Sequence, residues 1–261
     1  MVIIGLPAYN ETHRISGLIV DIDKSLKREA LEYKIIVYDD GSSDDTVSKV
    51  KALSNQGMNV HLIEGVQNKG LGYALSSLIE YSVSNSSLED VVIIMDADAT
   101  HNPEHINRMI SYIHDGFDVV VASRYTAYSR IRGLKLYRQL LSNSANFMFR
   151  LMFPIRGVKD YSCSYRAYTA KILKMAKDVY KDKLIEEHGF ACMAEFLIKL
   201  RKLDIIACEV PLILRYDKKS GPSKMCIIAN IFRTTGLILR SLWLAELSHE
   251  QTERLRGRYK I

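Results

Sequence analysis

The chain has 261 residues, 48% hydrophobic and 25% charged, with a formal net charge of +6. That composition excludes a disordered or low-complexity chain and allows one large α/β domain with a tail. The basic balance suits an anionic partner, whether nucleotide phosphate, anionic lipid or nucleic acid.

Short apolar runs at 2–6, 34–38, 59–63, 91–95 and 118–122 read as strands, and the amphipathic stretches 14–30, 44–54, 71–84 and 103–115 between them read as helices. Alternating β and α units imply a mostly parallel sheet covered on both faces, with ligands at the carboxyl ends of its strands. The apolar start, Met1 to Pro7, lacks the basic opening and the length of a signal peptide and reads as the first strand. Cys163, Cys192, Cys208 and Cys226 form no C-x-x-C pair, which argues against zinc or a disulfide framework and for a reducing compartment.

The unusual residues fall where those strands end. After the first comes Pro7-Ala8-Tyr9-Asn10-Glu11; after the second, Asp39-Asp40-Gly41-Ser42-Ser43-Asp44; after the third, Asn68-Lys69-Gly70-Leu71-Gly72, a turn whose glycines let backbone approach a ligand and whose lysine can meet a phosphate. The fourth strand ends in Asp96-Ala97-Asp98. If the extended geometry persists, these two acids point the same way and suit Mg²⁺ or Mn²⁺ carrying a diphosphate; the plain alternative is that they end a strand. Asn102-Pro103-Glu104 then supplies a cap, a first-turn proline and an early acid for the next helix.

In this order the four motifs resemble an inverting GT-A glycosyltransferase, with a Rossmann-like sheet that binds a nucleotide sugar. Within that group the chain is most similar to the dolichyl-phosphate and polyprenyl-phosphate hexose synthases, over roughly residues 1–225. The resemblance implies that Pro7, Tyr9, Glu11 and Asp39 hold base and ribose, with Lys69 and Ala97 in the donor site and Asp96 and Asp98 on metal and diphosphate. The synthases often carry Gln where this chain has Thr100.

The second half supplies cations. The resemblance places Arg124 and Arg138 on donor and acceptor phosphates; Ser142 shares a helical face with Arg138 on a helix running to about 152. It also matches Arg215 and Ser223-Lys224 to the Arg and the Ser-Lys ending of a cationic loop that serves the acceptor phosphate, and residues 158–168 to the segment closing the sugar pocket. There Asp160 is either a site residue or a turn acid, and Arg130 and Arg132 are either surface or site charges. Glu195 is either paired in the core or the group that serves as base or positions the acceptor. Residues 225–247 form an apolar stretch with Arg233, Arg240 and the single tryptophan, Trp243. This reads as a helix lying in a membrane surface, or equally as one docked on the core or on a second copy. The charged tail 249–261 reads as a solvated end.

The expectation is thus a glycosyltransferase domain over 1–224, divided near 123 into nucleotide-sugar and acceptor halves, followed by an amphipathic helical tail over 225–261. It moves a hexose from GDP-mannose or UDP-glucose to a polyprenyl phosphate with inversion, in the cytoplasm against the inner face of the membrane, without nucleic acid. The rivals are a soluble glycosyltransferase acting on a hydroxyl, a non-catalytic nucleotide-sugar or nucleic-acid binder, and a nucleotidyltransferase.

Overall fold

The computed structural model describes residues 1–218, 227–242, 254 and 256–259. Apolar runs rich in β-branched residues build five of the strands of a seven-stranded sheet: β1 (Val2–Ala8), β2 (Tyr33–Asp39), β4 (Val91–Ile94) and β5 (Val119–Ser123) inside it, and β3 (Val60–Glu64) at its edge. Ile4 pairs with Ile35 on one side and Ile93 on the other, all fully buried. Runs of this kind form strands because both faces are covered. The covering helices are α1 (Ile15–Arg28), α2 (Thr46–Asn55), α3 (Leu71–Ser84) and α4 (His105–His114). Every element expected in this half lies within two residues of its sequence-based bounds. The helix expected from Pro103 begins at His105; Asn102 Oδ1 instead accepts the Glu104 amide at 3.2 Å in the turn before it.

The strand order β3-β2-β1-β4-β7-β5-β8 reverses direction at β1, so the carboxyl ends of β1 and β4 flank a topological switch point. Past β5 the chain forms β6 (Arg130–Arg132), α5 (Leu136–Met152), β7 (Arg166–Thr169), α6 (Ala170–Tyr180), α7 (Cys192–Arg201), β8 (Ala207–Pro211) and β9 (Ile213–Arg215). β7 runs antiparallel between β4 and β5. β6 and β9 form a separate parallel pair, with Arg132 opposite Arg215, so Arg130 and Arg132 stand on a short strand.

α8 (Ile227–Leu242) docks on the core. Leu237, Ile238 and Ser241 are buried, and Arg240 pairs with Glu195 on α7. Arg240, 42% exposed, thus ties α8 to α7, while Leu239 and Leu242 are exposed. The tail is not simply solvated: Tyr259 donates its hydroxyl to Asp178 on α6 at 2.6 Å, and Arg256 reaches the backbone carbonyls of Leu203 and Asp204. Ser223, Lys224 and Trp243 lie outside the described residues. Among the described residues no helix is long and apolar enough to cross a membrane.

Candidate active site

Three turns at the strand ends are laced into one rim. Asn10, in the left-handed region at φ 52°, donates its amide to Ser42 Oγ and accepts the Ser43 amide on its side chain, both at 2.8 Å. The Glu11 amide reaches Thr46 Oγ1 and the Thr12 amide reaches Asp44. Asp40, 4% exposed, accepts the Lys69 and Gly70 amides at 2.9 and 2.8 Å. Burial raises its acid above the ordinary range, against the pull of those two amides. Tyr9 and Glu11 stand half-buried on this rim, and Pro7 lies within β1 opposite Tyr38. Asp39 Oδ2 takes the Ser42 amide at 2.9 Å, while its buried Oδ1 has no hydrogen-bond partner among the described residues. A buried carboxylate oxygen without a donor is costly, and a base or ribose donor would satisfy it.

The third turn differs from expectation in one respect. Its glycines make room for the chain's own backbone: a Cβ on Gly70 would stand 2.5 Å from the His188 carbonyl oxygen, and one on Gly72 would overlap that of Glu187. The Lys69 ammonium is exposed and rests over the Tyr73 ring, 4.3 Å from its centroid.

β4 ends at Ile94, so Asp96 and Asp98 are not successive same-side positions of a strand. Residues 97–98 turn and Ala99 is left-handed at φ 58°. Asp96, one-third exposed, accepts the Ser164 hydroxyl at 2.7 Å, and its backbone amide donates to His101 Nδ1 at 3.3 Å. His101, 4% exposed, stacks on Tyr165. Asp98, 7% exposed, accepts both the Thr100 amide and the Thr100 hydroxyl on one oxygen, while Ala97 is buried beneath. Among the described residues no group of three or more His, Cys, Asp or Glu side chains is placed to hold a metal. Two carboxylates at a strand end nevertheless fit a hard cation that takes its remaining ligands from phosphates and water. Ser164 and His101 were missed in the sequence, where neither a buried hydroxyl nor a histidine five residues past an acid announces itself.

The Arg215 backbone amide donates to the Thr100 carbonyl at 3.0 Å, which brings β9 against the Asp98 turn. Its guanidinium grips Asp217 through Nε and NH2 at about 2.8–3.1 Å. The 215–217 turn lies over Gly133, where a Cβ would stand 2.7 Å from the Asp217 amide. Arg138, half-buried on α5, is within hydrogen-bonding influence of Tyr137 and Tyr216, which joins it to the same corner. Ser142 faces inward beside Tyr125 and Asn146.

Arg124 is placed differently from a free phosphate ligand. Nε and NH2 clasp Asp160 at 2.8 and 2.6 Å, its amide adds a third bond, and NH2 also meets Ser162. Burial works to raise the Asp160 acid, but the adjacent guanidinium overcomes this and holds it below the ordinary range. Glu209 sets the segment by accepting the Lys159 and Asp160 amides. Arg124 therefore fixes residues 160–164, and Ser164 carries that order to Asp96.

Glu195 is paired in the core. At 1% exposure, its Oε2 accepts the amides of Glu186 and Glu187, and its Oε1 accepts from Lys199 and Arg240, both at 2.9 Å. Its oxygens are committed to four donors, so it is not presented to an acceptor as a base.

The sheet order, the laced rim and the acid-bearing end of β4 define the GT-A glycosyltransferase fold. The chain belongs to glycosyl transferase family 2, whose sequence profile matches residues 3–175. It is 33% identical to dolichol-phosphate mannosyltransferase of Pyrococcus furiosus over 79% of this chain, and spans about half (54%) of that protein's length. Polyprenol monophosphomannose synthase of Mycolicibacterium smegmatis is 25% identical, with 84% of this chain and 79% of that one covered. Among solved structures, glucosyl-3-phosphoglycerate synthase from Mycobacterium tuberculosis, in complex with Mn²⁺, UDP-glucose and phosphoglyceric acid, superposes with a TM-score of 0.64 at 17% identity. That match covers 94% of this chain and 80% of the other.

Proposed function

We propose that the chain transfers a hexose, with inversion, from GDP-mannose or UDP-glucose to a polyprenyl or dolichyl phosphate at the inner, cytoplasmic surface of a membrane. The observation that carries the lipid part is the exposed apolar stripe of α5. The inward face of the helix joins Asn146, which bonds Tyr125, Ser162 and the Tyr161 amide, to the buried Phe149, stacked on Tyr161. Its outward face carries Leu136, Leu140, Phe147 and Leu151, each more than 60% exposed and spaced by four, seven and four. Apolar stripes normally pack on protein, and a large exposed one beside a polar site fits a lipid surface. The relatives' names, which speak of dolichol and polyprenol phosphates and of mannose, support the same reading.

In this reading Pro7, Tyr9, Glu11 and Asp39 receive base and ribose, and Lys69 and Ala97 border the donor. Asp96 and Asp98 would hold Mg²⁺ or Mn²⁺, which when bound supplies charge for the departing diphosphate. The neighbouring synthase has been crystallised with UDP and either ion. Arg138, Ser142, Arg215 and Lys224 bring the acceptor phosphate beside the donor, and Arg124 acts on the same pocket by fixing residues 160–164. A lipid phosphate is already anionic and needs no base to remove a proton, which agrees with the commitment of Glu195 to four donors.

The test is release of nucleoside diphosphate from GDP-mannose and UDP-glucose with Mg²⁺ or Mn²⁺, with and without polyprenyl phosphate, following sugar into organic solvent. Lipid-dependent release with extractable sugar is expected. Release indifferent to lipid would refute the acceptor and direct attention to hydroxyl compounds.

A further inference from the structure

We propose that Arg240 of α8 is a positioning residue for the nucleotide rim, acting through residues 186–189; the proposal rests on the donor reading above. The helix thereby tunes the donor site from outside it.

Residues 186–189 are held from two sides. On one, Glu195 accepts the Glu186 and Glu187 amides at 3.0 and 2.8 Å, and Arg240 NH2 bonds both Glu195 Oε1 at 2.9 Å and Glu187 Oε1 at 3.5 Å. On the other, the Gly72 amide donates to the His188 carbonyl at 3.0 Å, and Gly70 and Gly72 leave no room for a Cβ against residues 187–188. Glycine at both positions seats this loop on the first turn of α3. That turn follows directly from Lys69 and Gly70, whose amides bond Asp40, the neighbour of Asp39 with its unpartnered oxygen. A continuous run of hydrogen bonds and chain thus joins the α8 guanidinium to the candidate base-binding carboxylate.

The charge balance shows why Arg240 matters. Glu186, Glu187 and Glu195 surround Lys199 and Arg240, and Lys199 reaches Glu186 and Glu195 at 2.9 Å each. Removing Arg240 takes away the cation that bonds both Glu187 and Glu195, leaving Lys199, with Lys183 near Glu186 and Arg233 against Gly189, to balance three acids, and the added repulsion falls on the loop that carries two of them. Glu195 keeps Lys199, and the Arg240 side chain is 42% exposed, so the variant is expected to fold.

The experiment uses the full chain and measures GDP and UDP binding with Mn²⁺ by calorimetry, together with amide hydrogen exchange. Arg240→Ala is expected to weaken nucleoside-diphosphate binding by about threefold to thirtyfold, the usual span of such coupling, and to speed exchange at the Glu186, Glu187 and Gly72 amides. Arg240→Lys should restore part of both. Gly72→Ala pushes the same loop from the opposite side, so the double variant should lose less than the product of the single losses. Tyr259→Phe, which frees the tail from Asp178, should change neither readout. Unchanged affinity in Arg240→Ala overturns the proposal, whether the loop amides exchange faster or not. If the wild-type chain binds neither nucleotide, the donor reading falls. Exchange then decides the mechanical link separately: unchanged protection at the three amides refutes it.

Discussion

Asp160→Asn is the most informative single change to the scaffold of the site. The wild-type carboxylate is fully buried and takes three bonds from Arg124, with the Ser162 and Cys163 amides on Oδ1 at 3.3 and 3.0 Å. Asparagine preserves the shape but opposes an amide NH₂ to the guanidinium and leaves its charge buried without a counterion. Breaking such a pair from one side costs about 3–5 kcal/mol, a large part of the roughly 5–15 kcal/mol that holds a domain together. The folded acid is held below its unfolded value near about 3.9, so the unfolded chain binds the proton more readily. The stabilisation is therefore fully present above the unfolded value and is lost as pH falls through the folded one. Urea unfolding from pH 8 down to 3 should show a constant deficit in the variant to about pH 5, narrowing in acid. A loss under about 1 kcal/mol at neutral pH, or a deficit that does not narrow, would refute the reasoning. Lysine at position 124 should not replace arginine, because it cannot make the bidentate contact.

Two further outcomes follow from the same geometry. Asp39→Asn should reduce GDP or UDP affinity by about tenfold while leaving the melting temperature equal or raised, because a buried charged oxygen without a donor burdens the free protein; calorimetry and thermal unfolding on one preparation read both. Leu136→Ser with Leu140→Ser should lower partitioning onto anionic vesicles by tenfold or more at unchanged stability, since each exposed leucine offers about 1.5–3 kcal/mol on burial. Equal partitioning would remove α5 as the lipid-facing element.

What the sequence disclosed, and what it withheld, follows from the range of the interactions. β1 to β5 and α1 to α4 were legible because β-branched runs and 3.6-residue periodicity are local, and the acids at the strand ends stand out against them. β7 was hard to read: its first residue, Arg166, is fully buried and bonds the Met193 and Tyr161 carbonyls, so a core strand opens on a charge. α5 concealed its orientation for a related reason. The spacing of Arg138 and Ser142 gave a shared face, but only the fold reveals that Asn146 and Phe149 turn inward and leave Leu136 and Leu140 outside.

Glu195 shows where such reading ends. Its i+4 partner Lys199 was available from spacing alone and would already have argued for a paired acid. The other donors were not: two are backbone amides eight and nine residues earlier, and the third is Arg240, 45 residues later. An acid at the head of a helix in this fold therefore fits either a base or a structural hub by local pattern, and the number of donors around it decides. Burial separates Arg124, spent on the fully buried Asp160, from Arg138 and Arg215 at the more open corner beside Thr100, where the Asp217 that holds Arg215 is itself exposed. Those two should accordingly lose turnover with lipid phosphate when neutralised, while Arg124 should lose stability first.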